Sequence, residues 1–211
     1  MHGVWRDGLL VMKRIRSELT QADVEALVAT CNPRAKTGAR DRALILFLRM
    51  TGCRVSEALA VRPCDVDRAS MRIMIPGTKT DAARRVVSLP AALEGELDVW
   101  LEARRAALGP TLSRRATLFP ALSGNAAGAP LTRHKVDRML KRRAERAGIT
   151  KRVHAHAFRH GLAADLVRAG APVAGIMSQL GHADMRVTTR YIGELAASQA
   201  ASDAICNLFD A

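Results

Sequence analysis

Apolar positions fall at helical spacing through most of this chain, and the period turns to alternation only between positions 72 and 89. Thr20 is placed to cap a first helix. Asp23 takes the acidic place of a capping box, and Val24, Leu27 and Val28 follow at helical spacing. A second helix over about residues 39–50 is apolar enough to be core, and Thr51-Gly52-Cys53-Arg54 stops it. Ser56 and Glu57 open a third, short helix. Residues 72–75 and 85–89 then read as two strands, joined through 77–81 as a hairpin with Lys79 near its tip. Pro90 starts another helix, which runs through Leu93, Leu97, Trp100 and Leu101 to about position 108. The stretch 109–130, rich in Gly, Pro and Ser, predicts a loop or lobe connection interrupted by Leu118 and Phe119. Helices follow near 131–147, 154–169, 172–180 and 185–191, and a C-terminal helix covers about 194–209. The class this predicts is mainly α with a small antiparallel β-sheet, an α+β fold. Residues 1–18 show little periodicity and read as an arm, and residues 19–211 as one domain.

Composition narrows the partners. With 211 residues, 48% hydrophobic and 25% charged, the chain is long enough for one buried core. No apolar run nears the roughly 20 residues of a membrane span, and the patch at 9–12 is too short for a signal-peptide core. The four cysteines, at 31, 53, 64 and 206, form no Cys-x-x-Cys pair, and read as small buried hydrophobes in a reducing cytosol. A net charge of +13 and a pI near 10.9 call for a polyanion, nucleic acid before a membrane surface. The window 133–159 holds ten Lys and Arg against only Asp137 and Glu145. Arg138, Arg142 and Arg146 repeat every four residues as one cationic stripe. With Arg133, Lys135 and Lys141 they are the candidate contacts to a duplex backbone, a solvated helix face being the competing explanation.

The chemistry is densest in the segment 154–160. His156, Arg159 and His160 stand at i, i+3 and i+4 and share one helical face. Two histidines at this spacing can ligate a metal, but the Glu that a metalloprotease helix needs after its first His is Ala157 here, and the surroundings are cationic. Arg and His together suit an anion better, one gripping oxygens and the other exchanging a proton near neutral pH. Taken alone, the segment is equally well explained as a helix with a few satisfied polar groups. His154 falls outside this face. Further on, Leu180-Gly181-His182 places a histidine after a helix end, and nine residues later comes Tyr191, the single tyrosine.

These residues together resemble the tyrosine recombinases, or phage-type integrases. In that family an arginine follows a Thr-Gly turn with an acidic residue three places on, as Arg54 and Glu57 do here. A hairpin lysine matches Lys79, a His-x-x-Arg pair matches His156 and Arg159 with His160 adjacent, a Leu-Gly-His element ends in His182, and Tyr191 stands where the nucleophile belongs. The match runs from about position 19 to the C-terminus, nearly the whole chain.

The resemblance implies a site-specific recombinase that cleaves and rejoins double-stranded DNA by integration, excision or inversion. Tyr191 attacks the scissile phosphate to give a 3′-phosphotyrosyl link, His156 serves as base, and Arg54 and Arg159 hold the non-bridging oxygens. His182 donates a hydrogen bond to the same phosphate, and Lys79 protonates the leaving 5′-oxygen. Glu57 and His160 are supporting residues. No cofactor and no metal are implied. The partners implied are DNA, other copies of the chain in a tetramer on DNA, with the helix at 194–209 exchanged between protomers, and accessory DNA-binding proteins, in the cytoplasm at the nucleoid and not at a membrane. The separate N-terminal DNA-clamping domain of most members has no counterpart in this sequence, which resembles an excised catalytic domain or the short single-domain invertases. Relaxation of DNA by a type IB topoisomerase and DNA binding without catalysis remain the competing readings.

Overall fold

Thr20 caps the first helix as its sequence requires: its Oγ1 accepts from the Asp23 N–H at 3.2 Å, and Asp23 Oδ2 accepts from the Thr20 N–H at 2.7 Å. This computed structural model describes residues 19–77 and 84–181, with Gly193. Seven α-helices lie among the described residues: α1 Gln21–Ala29, α2 Lys36–Thr51, α3 Val55–Ala60, α4 Ala91–Arg115, α5 Arg133–Arg146, α6 Ala155–Arg168 and α7 Val173–Leu180. A single antiparallel sheet, in the order β1-β2-β3, is built from β1 Val66–Asp67, β2 Arg72–Ile75 and β3 Arg85–Ser88. Ile73 pairs with Val87 and Met74 with Val86, so Ile73, Ile75 and Val87 face the core while Met74 and Val86 face outward.

The central element is α2, packed against α1, α4 and α6. Leu44, Ile45, Phe47 and Leu48 are fully buried along it, and Phe47 meets Phe119 edge to face at 5.3 Å. Each such burial contributes about 1.5–3 kcal/mol against leaving the side chain in water. Around this core α5 packs on α1 and α6, and α7 packs on α6 and touches β3. A smaller cluster of Ala163, Val167, Ile176 and Leu180 holds α7 to α6.

Two expectations about the elements change, and Cys64, expected to be buried like the other cysteines, is exposed. The region from 109 is not a loop at its start: the chain kinks at Gly109 (φ 71°, ψ 165°) and resumes helical geometry to Arg115. Pro110 opens the second segment, where a missing N–H costs nothing. Arg104, 1% exposed, ties that segment back through bonds to the Ser113, Ala116 and Thr117 carbonyls. The strand β1 adds a third strand to the expected hairpin. The arm at 1–18, the hairpin tip with Lys79, the helix expected at 185–191 and the C-terminal helix at 194–209 lie outside the described residues.

Candidate active site

Gly52 ends α2 in the left-handed conformation (φ 63°, ψ 14°), and the reversal delivers Arg54 to the N-terminus of α3. Glycine is required there twice over, since a Cβ at position 52 would lie 2.6 Å from Leu180 Cδ2 and 2.8 Å from Leu162 Cδ2. Arg54 donates to Glu57 twice, from its backbone N–H to Oε2 at 2.9 Å and from Nη1 to Oε1 at 3.0 Å. Glu57 is only 1% exposed and takes a third bond, from Arg85 Nη2 on β3 to Oε2 at 3.0 Å. Burial alone would push the Glu57 carboxyl up, but the hydrogen bonds of Arg85 and Arg54 and the charge of Arg85 outweigh it and hold the group below its ordinary 4.5. It is therefore a carboxylate at neutral pH.

Arg159 enters from α6, 3% exposed, and its Nη1 donates to the Gly52 carbonyl at 3.1 Å and the Leu180 carbonyl at 2.6 Å. Gln179 Nε2 donates to the Thr51 carbonyl at 3.3 Å. The end of α7 is thus clasped to the turn that presents Arg54. His156, in the first turn of α6, is exposed; His160, one turn on, is half-buried, and the rings meet edge to face with centroids 4.4 Å apart and an interplanar angle of 82°. Cys53, between the arginine and the turn, is no rival nucleophile: burial pushes its thiol up to about 12.

The structure therefore brings Arg54, Glu57 and Arg159 to the α2–α3 turn, with His156 and His160 on the helix that carries Arg159; Lys79, His182 and Tyr191 lie outside the described residues. Two guanidiniums held at one turn, those of Arg54 and Arg159, make a cationic cradle that suits an oxyanion. Among the described residues, no three His, Cys, Asp or Glu side chains gather to hold a metal ion, and no helix is long and apolar enough to cross a membrane.

On α5, Arg133, Lys135, Arg138, Lys141, Arg142 and Arg146 are all exposed. A groove of about 660 Å³ runs between this helix and the segment 149–154, lined by Arg133, Arg138, Lys141 and Arg152 among others. His154 also lines it, and burial, with the charges of Arg152 and Arg133, holds its imidazole below the ordinary 6.5 although Asp137 opposes them. Two members of the basic window do not join this face. Arg159 belongs to the cradle, and Arg143 points inward, donating to the Thr30 carbonyl at 2.6 Å and to Asp41 Oδ2 at 2.8 Å.

Sequence reading passes over Arg85 and Gln179. For Arg85 a signal exists: it shares the inward face of β3 with Val87, an unusual place for a charge. Gln179 donates from a side chain to a turn 128 residues earlier, and no local pattern announces such a bond.

A model of the phage integrase family matches residues 17–197. The tyrosine recombinase XerD of Bifidobacterium longum is 36% identical over 154 residues, covering 72% of this chain and 49% of that protein. Among solved structures, the XerA recombinase superposes with a TM-score of 0.71 at 24% identity, over 89% of this chain and 64% of that one, a likeness of fold. The XerH site-specific recombinase, bound to a palindromic difH substrate in a post-cleavage complex, superposes with a TM-score of 0.70 at 26% identity, over 89% of this chain and 52% of that one. The chain spans about half the length of the curated relatives it matches.

Proposed function

The chain belongs to the phage integrase family, and from that premise we propose that it is a tyrosine-type site-specific DNA recombinase acting through a covalent 3′-phosphotyrosyl intermediate. The observation that carries this reading is the cradle itself. Arg54 and Arg159 are anchored on one turn, one by the Glu57 carboxylate and the other by the carbonyls of Gly52 and Leu180, with His156 on the same helix as Arg159. Such a cradle takes the two non-bridging oxygens of a phosphodiester and stabilises the charge that grows on them.

Tyr191 is the nucleophile in this reading. Its Oη forms a bond to phosphorus as the bond from phosphorus to the 5′-oxygen breaks, and the phosphodiester is conserved as a phosphotyrosine, so resealing needs no ATP. A phenol with a pKa near ~10 needs help at neutral pH, and His156 accepts its proton. Lys79 supplies a proton to the departing 5′-oxygen, and His182 hydrogen-bonds the phosphate. Glu57 and His160 position these groups. The exposed cations of α5, Arg133, Lys135, Arg138, Lys141, Arg142 and Arg146, follow the duplex backbone.

Residues 19–211 form the catalytic unit, residues 1–18 an arm, and the segment 194–209 docks on a neighbouring protomer in a tetramer on DNA, in the cytoplasm at the nucleoid. Accessory DNA-binding proteins complete the complex.

The test uses a duplex selected by this protein from a random pool, placed twice on one plasmid. Recombinant products formed without ATP or divalent metal are expected. Relaxation without recombinants or site preference would reassign the chain to topoisomerase chemistry, and binding without cleavage would leave it a regulator.

A further inference from the structure

We propose that Arg85 is a positioning residue for the phosphate cradle, acting through Glu57 on Arg54 and through the Gln179 carbonyl on the C-terminal end of α7. This rests on the recombinase reading above. Arg85 lies on β3, at the foot of the hairpin that carries Lys79, and its side chain is 10% exposed. Its Nη2 donates to Glu57 Oε2 at 3.0 Å, and its Nε donates to the Gln179 carbonyl at 2.9 Å. One guanidinium therefore joins three elements distant in sequence: the hairpin, the N-terminus of α3 and the C-terminal end of α7.

Electrostatics gives the link a purpose beyond packing. Arg54 and Glu57 form a pair that is neutral at pH 7, and a neutral pair attracts a phosphate poorly. Arg85 returns the cluster to a single positive charge, with the carboxylate shared between two arginines. Its Nη2 bonds the Glu57 Oε2 that also accepts the Arg54 backbone N–H, which leaves Oε1 to the Arg54 guanidinium.

A second feature points the same way. Arg85 Nη1 is buried without a hydrogen-bond acceptor, and a Cβ built on Gly181 would stand 2.9 Å from it. Burying a guanidinium nitrogen unpaired costs free energy, which the bonds made by the other two nitrogens of the group must offset. Gly181, in the left-handed region at φ 82°, leaves the space that the guanidinium fills.

The test compares single-turnover release of the 5′-hydroxyl strand from two duplexes. One carries an ordinary scissile phosphodiester, and in the other a methyl replaces one non-bridging oxygen and removes its charge. Arg85→Gln is expected to slow the charged duplex by about tenfold or more and the neutral one much less, since the lost help is electrostatic. Arg85→Lys, which keeps the charge but only one of the two bonds, shifts the ratio of the two rates in the same direction and by less. Each readout is a ratio within one variant, so partial unfolding cancels. An unchanged ratio in both variants overturns the proposal. Wild-type protein that cleaves neither duplex overturns the recombinase reading, and this inference with it.

Discussion

Arg159 reaches 107 positions back along the chain to the Gly52 carbonyl, donating through Nη1 at 3.1 Å. The same nitrogen holds the Leu180 carbonyl at 2.6 Å, so the guanidinium joins the helix that carries it to the turn before Arg54 and to the end of α7. Arg159→Lys should lower covalent cleavage about a hundredfold, because an ammonium replaces a planar fork in both the carbonyl bonds and the phosphate grip. Denaturant unfolding should show a loss of only about 1–3 kcal/mol, the cost of an unmet buried carbonyl. Equal cleavage per folded molecule would contradict the assignment.

Gly52→Ala meets both a left-handed backbone and two leucine methyls closer than 3 Å. A destabilisation of about 2–4 kcal/mol in urea is expected, from backbone strain and overpacking together. Gly95→Ala is the contrast. It sits in α4 with open space around it and should raise stability by about 0.5–1 kcal/mol.

Stability below pH 4.5 should carry the signature of Glu57. Its carboxyl is held below the ordinary 4.5 in the fold, so its contribution is present above that value and is lost as pH falls through the lowered one. Glu57→Gln lacks the term. The stability gap between wild type and this variant should be constant near neutrality and close as the pH drops. A gap that widens in acid would reverse the sign argued here.

Salt dependence separates the two kinds of arginine on α5. Replacing Arg138, Arg142 and Arg146 by Ala should flatten the plot of log affinity against log salt by about one unit per residue while leaving the unfolding midpoint near wild type. Arg143→Ala should do the reverse, since it strips Asp41 and the Thr30 carbonyl of a buried partner. Fluorescence anisotropy on a fixed duplex, paired with thermal unfolding, reads both.

Local signals were legible wherever the physics was local. The Thr20–Asp23 box, the Gly52 stop, the alternation of β2 and β3 and the Pro90 start are short-range rules, and the structure follows them. Gly109 and Pro110 misled because a Gly-Pro pair breaks one helix and opens the next equally well. The two-residue β1 is too short to show a period. Within the site, the reactive residue types and their order could be read directly. Gln179 could not, and Arg85 shows only as a charge on an inward strand face, since their bonds span 128 and 94 positions and exist only once the helices have packed. Arg143 could not be told from its neighbours for the same reason: in a run of cations, only Asp41 on α2 tells which one turns inward.

Trapping the covalent intermediate decides whether Tyr191 is the nucleophile. Wild type and Tyr191→Phe are incubated with a nicked cognate duplex in EDTA, denatured, and resolved by mass. A denaturant-resistant protein–DNA adduct is expected from wild type alone, joined to a DNA 3′ end, and since Tyr191 is the single tyrosine, a phosphotyrosyl adduct can form nowhere else. No adduct from wild type on a duplex it binds, or an undiminished adduct from Tyr191→Phe, would contradict that assignment.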